Sequence, residues 1–288
     1  MRVEHAEIGL RGAGYITLDH AGNVLVADID CNEIVKLSAT GHVEARWGGV
    51  GDGPGLFDGV NGLAVDRAGT LYATDEPNGR VHKLSATGQG LAAWGRPGSG
   101  AGELSHPQGV AVDTRGNVLV ADTRNSRLQV FSPRGRLLHV WGEEQGDEPG
   151  QFDHPADVAV DHQGSILVAD TRNARIQKLS PAGQVLAVWA AGDPWDDLLV
   201  CPEGVAADGT GNVYITDNGP VHRIVKISPW GVRLAAWELP GSRDLGNGYV
   251  QGIAVDRQGR IYVTQYTSHA AARVLKLSPQ GRVEAIWR

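Results

Sequence analysis

The sequence predicts an all-β protein, a six-bladed β-propeller with four antiparallel strands per blade, and three observations carry that expectation. Six tryptophans, Trp47, Trp94, Trp141, Trp189, Trp237 and Trp287, stand 47, 47, 48, 48 and 50 residues apart in a chain of 288 residues. A period that steady is one supersecondary unit copied six times. An aspartate followed three residues later by a glycine recurs in every period, as Asp19/Gly22, Asp66/Gly69, Asp113/Gly116, Asp161/Gly164, Asp208/Gly211 and Asp256/Gly259. So regular a glycine marks a tight turn with positive φ. Each period also holds four short runs rich in Val, Leu and Ile between Asp, Asn, Gly and Pro turns, and no segment sustains a helical period.

The third copy shows the elements in order. An inner strand, Gly109 to Asp113, turns at Thr114 to Asn117 into Val118 to Asp122. A loop with Arg124 and Asn125 leads to Leu128 to Phe131, and a turn at Arg134-Gly135 leads to an outer strand ending at Trp141. The same frame places blades at about 13–48, 60–95, 107–142, 155–190, 202–238 and 250–288, all within one unit spanning 1–288. Blade 6 has its own outer run, Arg282 to Trp287, so closure needs no borrowed strand. Residues 1–12 precede the first copy, and the repeat assigns them no place.

The pattern is specific enough to resemble a known family. Pro-x-Gly-Val-Ala-Val-Asp from Pro107, Gly-Asn-Val-Leu-Val-Ala-Asp from Gly116, and Asn125-x-Arg127 followed by Leu128-Gln129-Val130-Phe131 resemble the NHL repeat. The linker Gly146 to Pro155 matches that family's inter-blade segment, and the resemblance covers 13–287. It implies the propeller, whereas function varies widely within the class.

Composition narrows the partners. The net charge is −7, which disfavours nucleic acid. Arg124 and Arg172 are the loop arginines suited to a basic face, and Asp30, Glu76, Asp196 and Asp197 offset them. No run approaches the ~18 apolar residues of a membrane span, and the start Met1-Arg2-Val3-Glu4-His5 lacks an apolar signal segment. The two cysteines, Cys31 and Cys201, fall two blades apart and read as free thiols. The expected location is therefore the cytoplasm, with neither membrane nor nucleic acid as a partner.

The six copies act as controls for one another. The aspartates Asp28, Asp75, Asp122, Asp170 and Asp217 and the arginines Arg80, Arg127, Arg175, Arg223 and Arg273 recur, so they read as blade-to-blade pairs and loop braces. The tryptophans read as packing between blades. His106 and His154, in His-Pro pairs, read as linker braces.

What departs from the repeat bears on function. The residue before each inner strand faces the mouth of the axial channel, and these six are Gly14, Asn61, Gln108, Ala156, Glu203 and Gln251. In the amidating lyase of the NHL class, Pro-His pairs at this ring supply zinc ligands. Here Gln108, Ala156 and Glu203 follow the prolines, so the resemblance implies no zinc site. Gluconolactonase/regucalcin-type propellers, a more distant resemblance, hold a divalent ion at this ring. The matching candidates are Glu203, Asn61 and Asp157, in a different blade order, and their oxygens suit Ca²⁺ or Mg²⁺. The alternative is a hydrated polar ring.

Further departures lie on the same face. Tyr15 and Asp157 replace a glycine, Tyr266 stands in a changed blade 6 loop, and His222 and His269 stand in longer loops. Trp195 and Tyr249 stand in altered linkers. Together they predict a lopsided pocket with aromatic walls. The expected function is small-molecule binding at the channel mouth, with lyase- or hydrolase-type chemistry. Glu203, His222, His269 and Tyr266 would be the acid–base groups, and Tyr15, Asn61, Gln108, Asp157, Trp195, Tyr249 and Gln251 the contacts. The alternative is a non-catalytic protein- or peptide-binding scaffold.

Overall fold

A computed structural model describes residues 3–190, 199–241, 248–266 and 272–288. After a short strand β1 (Glu4–Ala6), six antiparallel sheets follow in chain order. Blade 1 holds β2 (Ile16–Leu18), β3 (Val24–Asp28), β4 (Glu33–Leu37) and β5 (Val43–Gly48). Blade 2 holds β6 (Val60–Val65), β7 (Leu71–Asp75), β8 (Arg80–Leu84) and β9 (Gly90–Trp94). Blade 3 holds β10 (Pro107–Val112), β11 (Val118–Asp122), β12 (Arg127–Phe131) and β13 (Leu137–Trp141). Blade 4 holds β14 (Pro155–Val160), β15 (Ile166–Asp170), β16 (Arg175–Leu179) and β17 (Val185–Ala190). Blade 5 holds β18 (Pro202–Ala207), β19 (Val213–Asn218), β20 (His222–Ile227) and β21 (Arg233–Glu238). Blade 6 holds β22 (Tyr249–Val255), β23 (Ile261–Tyr266), β24 (Arg273–Leu277) and β25 (Val283–Trp287).

The inner strands touch in a cycle, with β2 against both β6 and β22, so the ring closes. Blade 6 is built from its own four strands, as its sequence predicts. The first residues, left open by the repeat, add β1 to the outer edge of β25 in parallel, and that blade has five strands.

The period-2 pattern explains where the core lies. Each blade is apolar on both faces of its middle strands, so the cores form between blades. Leu25, Ala27 and Ile34 of blade 1 pack on Phe57, Leu63 and Leu71 of blade 2, and Val24 and Val26 of blade 1 share a cluster with Tyr262 and Trp287 of blade 6. The tryptophans do join blades. A Cβ on the turn glycine between the last two strands, Gly41, Gly88, Gly135, Gly183, Gly231 or Gly281, would lie 2.1 to 2.7 Å from the indole of the preceding blade. Only glycine admits that contact, and its φ of 77 to 86° suits the turn. Trp287 on Gly41 repeats it across the closure.

Threonines stitch the blades nearer the axis. The hydroxyls of Thr74, Thr123, Thr171, Thr216 and Thr264 donate to the main-chain oxygens of Gln108, Pro155, Pro202, Gln251 and Gly14 in the next blade. In blades 3, 4 and 5 the recurrent aspartate and arginine brace a loop as expected, but they pair within a blade, not between blades. Arg127 reaches Asp122 at 2.7 Å, Arg175 reaches Asp170 at 2.6 Å and Arg223 reaches Asp217 at 2.8 Å. The same carboxylates accept backbone N–H groups from the linker entering their own blade, Ser105 on Asp122 and Asp153 on Asp170. A carboxylate at the end of the second strand is close to its own linker, which makes it a clamp on that linker. No helix among the described residues is long and apolar enough to cross a membrane.

Candidate functional site

The ring residues of blades 2 to 6 stand at a bulge where the inner strand begins. In blade 2, Val60 pairs with Asp75 and Leu63 with Ala73, so Asn61 and Gly62 together oppose Thr74. The same shift sets Gln108 in blade 3, Ala156 in blade 4, Glu203 in blade 5 and Gln251 in blade 6. An extra residue at a strand end re-aims its side chain, here toward the channel.

Tyr15 forms the floor of the mouth. Its hydroxyl donates to the main-chain oxygen of Ala156 at 2.9 Å, from blade 1 across the axis to the opposite blade, and the residue is 3% exposed. Below it, the six inner strands line a cavity of about 270 Å³ whose ceiling is Tyr15 and Asp157. None of Asn61, Gln108, Glu203 and Gln251 lines that lower cavity, so they sit on the other side of the phenol.

A chain of hydrogen bonds crosses the mouth. His106 Nδ1 lies 2.9 Å from Glu76 Oε1, and Asn61 Nδ2 donates to Glu76 Oε2 at 2.9 Å. Gln251 Nε2 donates to Asn61 Oδ1 at 3.0 Å, which leaves Gln251 Oε1 buried with no donor. Gln108 is half-buried, and its main-chain oxygen accepts from Thr74.

Two carboxyls lie apart from this chain. Glu203 is half-buried at its ring position, and burial pushes its pKa up to about 7. Its neighbour is the Cys201 thiol, 4.0 Å from Oε1. That thiol is itself pushed up to about 11 by burial and by the charges of Glu203 and Asp217, so it is no ready nucleophile. Asp157 is pushed up to about 8, because burial and the charge of Glu203 outweigh two backbone hydrogen bonds, from Val158 at 2.8 Å and Val205 at 2.9 Å. Burial, Asp157 and Glu203 also raise Tyr15 well above an ordinary phenol.

Glu203, Asn61 and Asp157 do not fit a divalent ion as they stand. Both Asp157 oxygens accept backbone N–H groups, and Asn61 Oδ1 accepts from Gln251. Among the described residues no group of three or more His, Cys, Asp and Glu is placed to hold a metal. A hard cation needs six to eight oxygens.

The aromatic wall is partly present. Tyr249 and Tyr266 stack with centroids 5.4 Å apart, and the carboxylates of Asp30, Glu203 and Glu76 help raise the Tyr249 hydroxyl, after burial. His222 begins β20, where its backbone pairs with Asn218 and its Nδ1 is buried without a partner. Burial lowers its pKa, and the opposing charge is Asp217, so the structure does not bring His222 to Glu203. Trp195 and His269 lie outside the described residues.

Two members of the site escaped the sequence reading. Glu76 was legible only as a loop carboxylate and His106 only as a linker brace. A sequence signal for Glu76 existed, since it stands where blades 3 and 4 carry Thr123 and Thr171.

The NHL repeat model matches residues 104–131 and 152–179, the two most regular copies. No curated protein matches the chain in sequence. A streptogramin B lyase structure superposes with a TM-score of 0.69 at 17% identity, covering 96% of this chain and 83% of its own. Virginiamycin B lyase from Staphylococcus aureus superposes at 0.67, with 14% identity over 95% of this chain and 83% of its own. A gluconolactonase from Xanthomonas campestris superposes at 0.59, with 16% identity over 99% and 88%. At such identities what is shared is the six-bladed fold.

Proposed function

We propose that the protein binds a small molecule at the mouth of the axial channel, above the Tyr15 floor, and acts on it with lyase- or hydrolase-type proton transfer at Glu203. The observation that carries this reading is the state of Glu203. A carboxyl with a pKa of about 7 is half ionised at neutral pH and can both take and give a proton. Among the described residues no arginine or lysine pairs with it, in contrast with the clamped aspartates. Asn61, Gln108, Gln251 and Tyr249 would orient the ligand, and Tyr266 would support Tyr249. Propellers with lyase and lactonase activities among the structural neighbours are compatible with such chemistry, at the level of fold.

The test is a small-molecule thermal-shift screen at neutral pH on the protein and on Glu203→Gln. Compounds that raise the Tm of the protein should bind the variant at least about tenfold more weakly, a loss of roughly 1.4 kcal/mol. Circular dichroism should show the fold intact. Equal binding and full turnover by the variant would remove Glu203 from the site.

A protein- or peptide-binding scaffold remains the second reading, favoured by one observation. Trp230 is 81% exposed, and Val232 and Leu234 continue its apolar row along the edge of blade 5.

A further inference from the structure

We propose that the channel mouth recognises a protonated amine, and that the ligand carries an alkylammonium group directed at Gln251 Oε1 and Glu203. This inference rests on the small-molecule reading and names the chemistry the same site accepts.

The argument is the direction of the hydrogen-bond chain. A carboxylate only accepts, so both Glu76 oxygens must face donors, His106 on one side and Asn61 Nδ2 on the other. Asn61 therefore presents its carbonyl oxygen to Gln251, and Gln251 must answer with its N–H. The free end of the chain is then an acceptor, Gln251 Oε1, on a residue 7% exposed, and it has no donor. A buried carbonyl without a donor costs about 1–3 kcal/mol, which a donating ligand would recover.

The adjoining ring position adds a second acceptor. Thr216 ties the Glu203–Gly204 bulge to the main-chain oxygen of Gln251, so Glu203 and Gln251 are neighbours on the rim. Both adjoin the Tyr15 phenol, which the charge of Glu203 helps to raise after burial and Asp157. The mouth thus offers acceptors and negative charge, with Asp30 and Glu76 reaching Tyr249 as well. An anionic ligand would meet like charge, and a neutral acceptor would leave Gln251 unsatisfied.

An ammonium group carries three donors and a full charge, and it suits so small a set of oxygens. A divalent ion needs more oxygens than remain free. The stacked Tyr249 and Tyr266 give the organic part an aromatic surface, where a nearby cation gains further.

The test uses three probes of equal shape, phenethylammonium, phenethyl alcohol and phenylacetate, with CaCl2 and MgCl2 as separate arms, by thermal shift and calorimetry on the full chain. Phenethylammonium should raise Tm and bind at least about tenfold tighter than the alcohol, with no binding of phenylacetate. Gln251→Leu and Glu203→Gln should each lose tenfold or more, and Trp230→Ser, far out on blade 5, should change nothing. Glu76→Gln should keep the fold but shrink the preference for amine over alcohol, because glutamine no longer dictates which way Asn61 and Gln251 turn. That shift in preference separates a positioning role from a merely structural one. Binding of the alcohol or carboxylate as tight as the amine overturns the inference, as does a response to Ca²⁺ or Mg²⁺ alone or no response to the amine. Glu203-dependent binding of the alcohol or carboxylate would still leave the small-molecule site standing.

Discussion

Two groups of buried carboxyls in this protein are treated in opposite ways. On the girdle, Asp170 accepts from the backbone of Asp153 and from Asn173, Arg175 and Gln177. Asp122 repeats the set with Ser105, Asn125, Arg127 and Gln129. At the mouth, Glu203 has among the described residues a thiol 4.0 Å away as its side-chain neighbour, and Gln251 keeps a buried carbonyl without a donor. The same chain builds both, and at the axis Asp157 and Glu76 find partners too, so Glu203 stands apart among the described carboxyls. These unmatched groups are what the proposed ligand site rests on. The girdle fixes the blades, and the mouth holds Glu203 and Gln251 Oε1 without such clamps.

The contrast breaks most visibly on the girdle. Asp170→Ala leaves Arg175, itself 6% exposed, without its carboxylate. Removing one partner of a buried pair costs about 3–5 kcal/mol. Urea unfolding should show a midpoint lowered accordingly, and a loss below about 1 kcal/mol would mean that the clamp does not brace its linker.

At the mouth the same kind of change should act in the other direction. Glu203 has a pKa of about 7 in the fold against 4.5 as a free side chain, so the folded state holds its proton longer. The penalty for ionising it is absent below about pH 4, grows as pH rises through about 4.5 to 7, and is complete above that range. Glu203→Gln should therefore be near neutral at pH 4 and stabilising by about 2 kcal/mol at pH 8, half the nominal shift being discounted for the water that reaches the group. Asp157, pushed up to about 8, adds a residual fall in stability over the same window in both proteins. The measurement is denaturant unfolding across that range, and a pH-independent difference would refute the buried, unpaired state of Glu203.

The sequence reading reached the fold and the ring but not the connections across the axis. Tryptophans, turn glycines and inner-strand positions recur within one blade, so comparing copies exposes them. The ring was legible because the bulge repeats with the blade. Tyr15 reaching Ala156 joins residues 141 apart, and Gln251 reaching Asn61 joins residues 190 apart. No single copy contains such a pair, which is why Glu76 stayed out of the site. His222 failed for a related reason: a loop position gives the face but not the distance from the axis. The aspartate clamps look like links between blades in sequence, because recurrence alone does not say which neighbour a side chain turns to.

Blade 2 offers the smallest and sharpest test of the comparison, because it keeps the girdle with different atoms. Where blades 3 and 4 have Gln129 and Gln177, it has His82, fully buried. Gln129 accepts from Gly102 N and donates to Asp122, and Gln177 does the same with Gly150 and Asp170. His82 Nδ1 accepts from Gly55 N at 3.1 Å, and its Nε2 stands 3.3 Å from Asp75 Oδ2. The backbone N–H donating into Nδ1 places the ring proton on Nε2, which is close to the carboxylate but makes no hydrogen bond to it, so the imidazole replaces only the accepting half of the amide. Each glutamine also donates to a linker carbonyl, Glu103 or Gln151, at 2.6 Å, while His82 packs its ring on Phe57 with centroids 4.9 Å apart. His82→Gln exchanges that packing for a hydrogen bond, two terms of about 1 kcal/mol each, and should change stability by less than about 1 kcal/mol. His82→Leu keeps the bulk but removes the acceptor from Gly55 and the polar neighbour of Asp75, and should cost about 1–3 kcal/mol. If both variants unfolded at the same denaturant concentration, hydrogen bonding would not be what the girdle requires at this position, and the contrast with the mouth would rest on the arginine pairs alone.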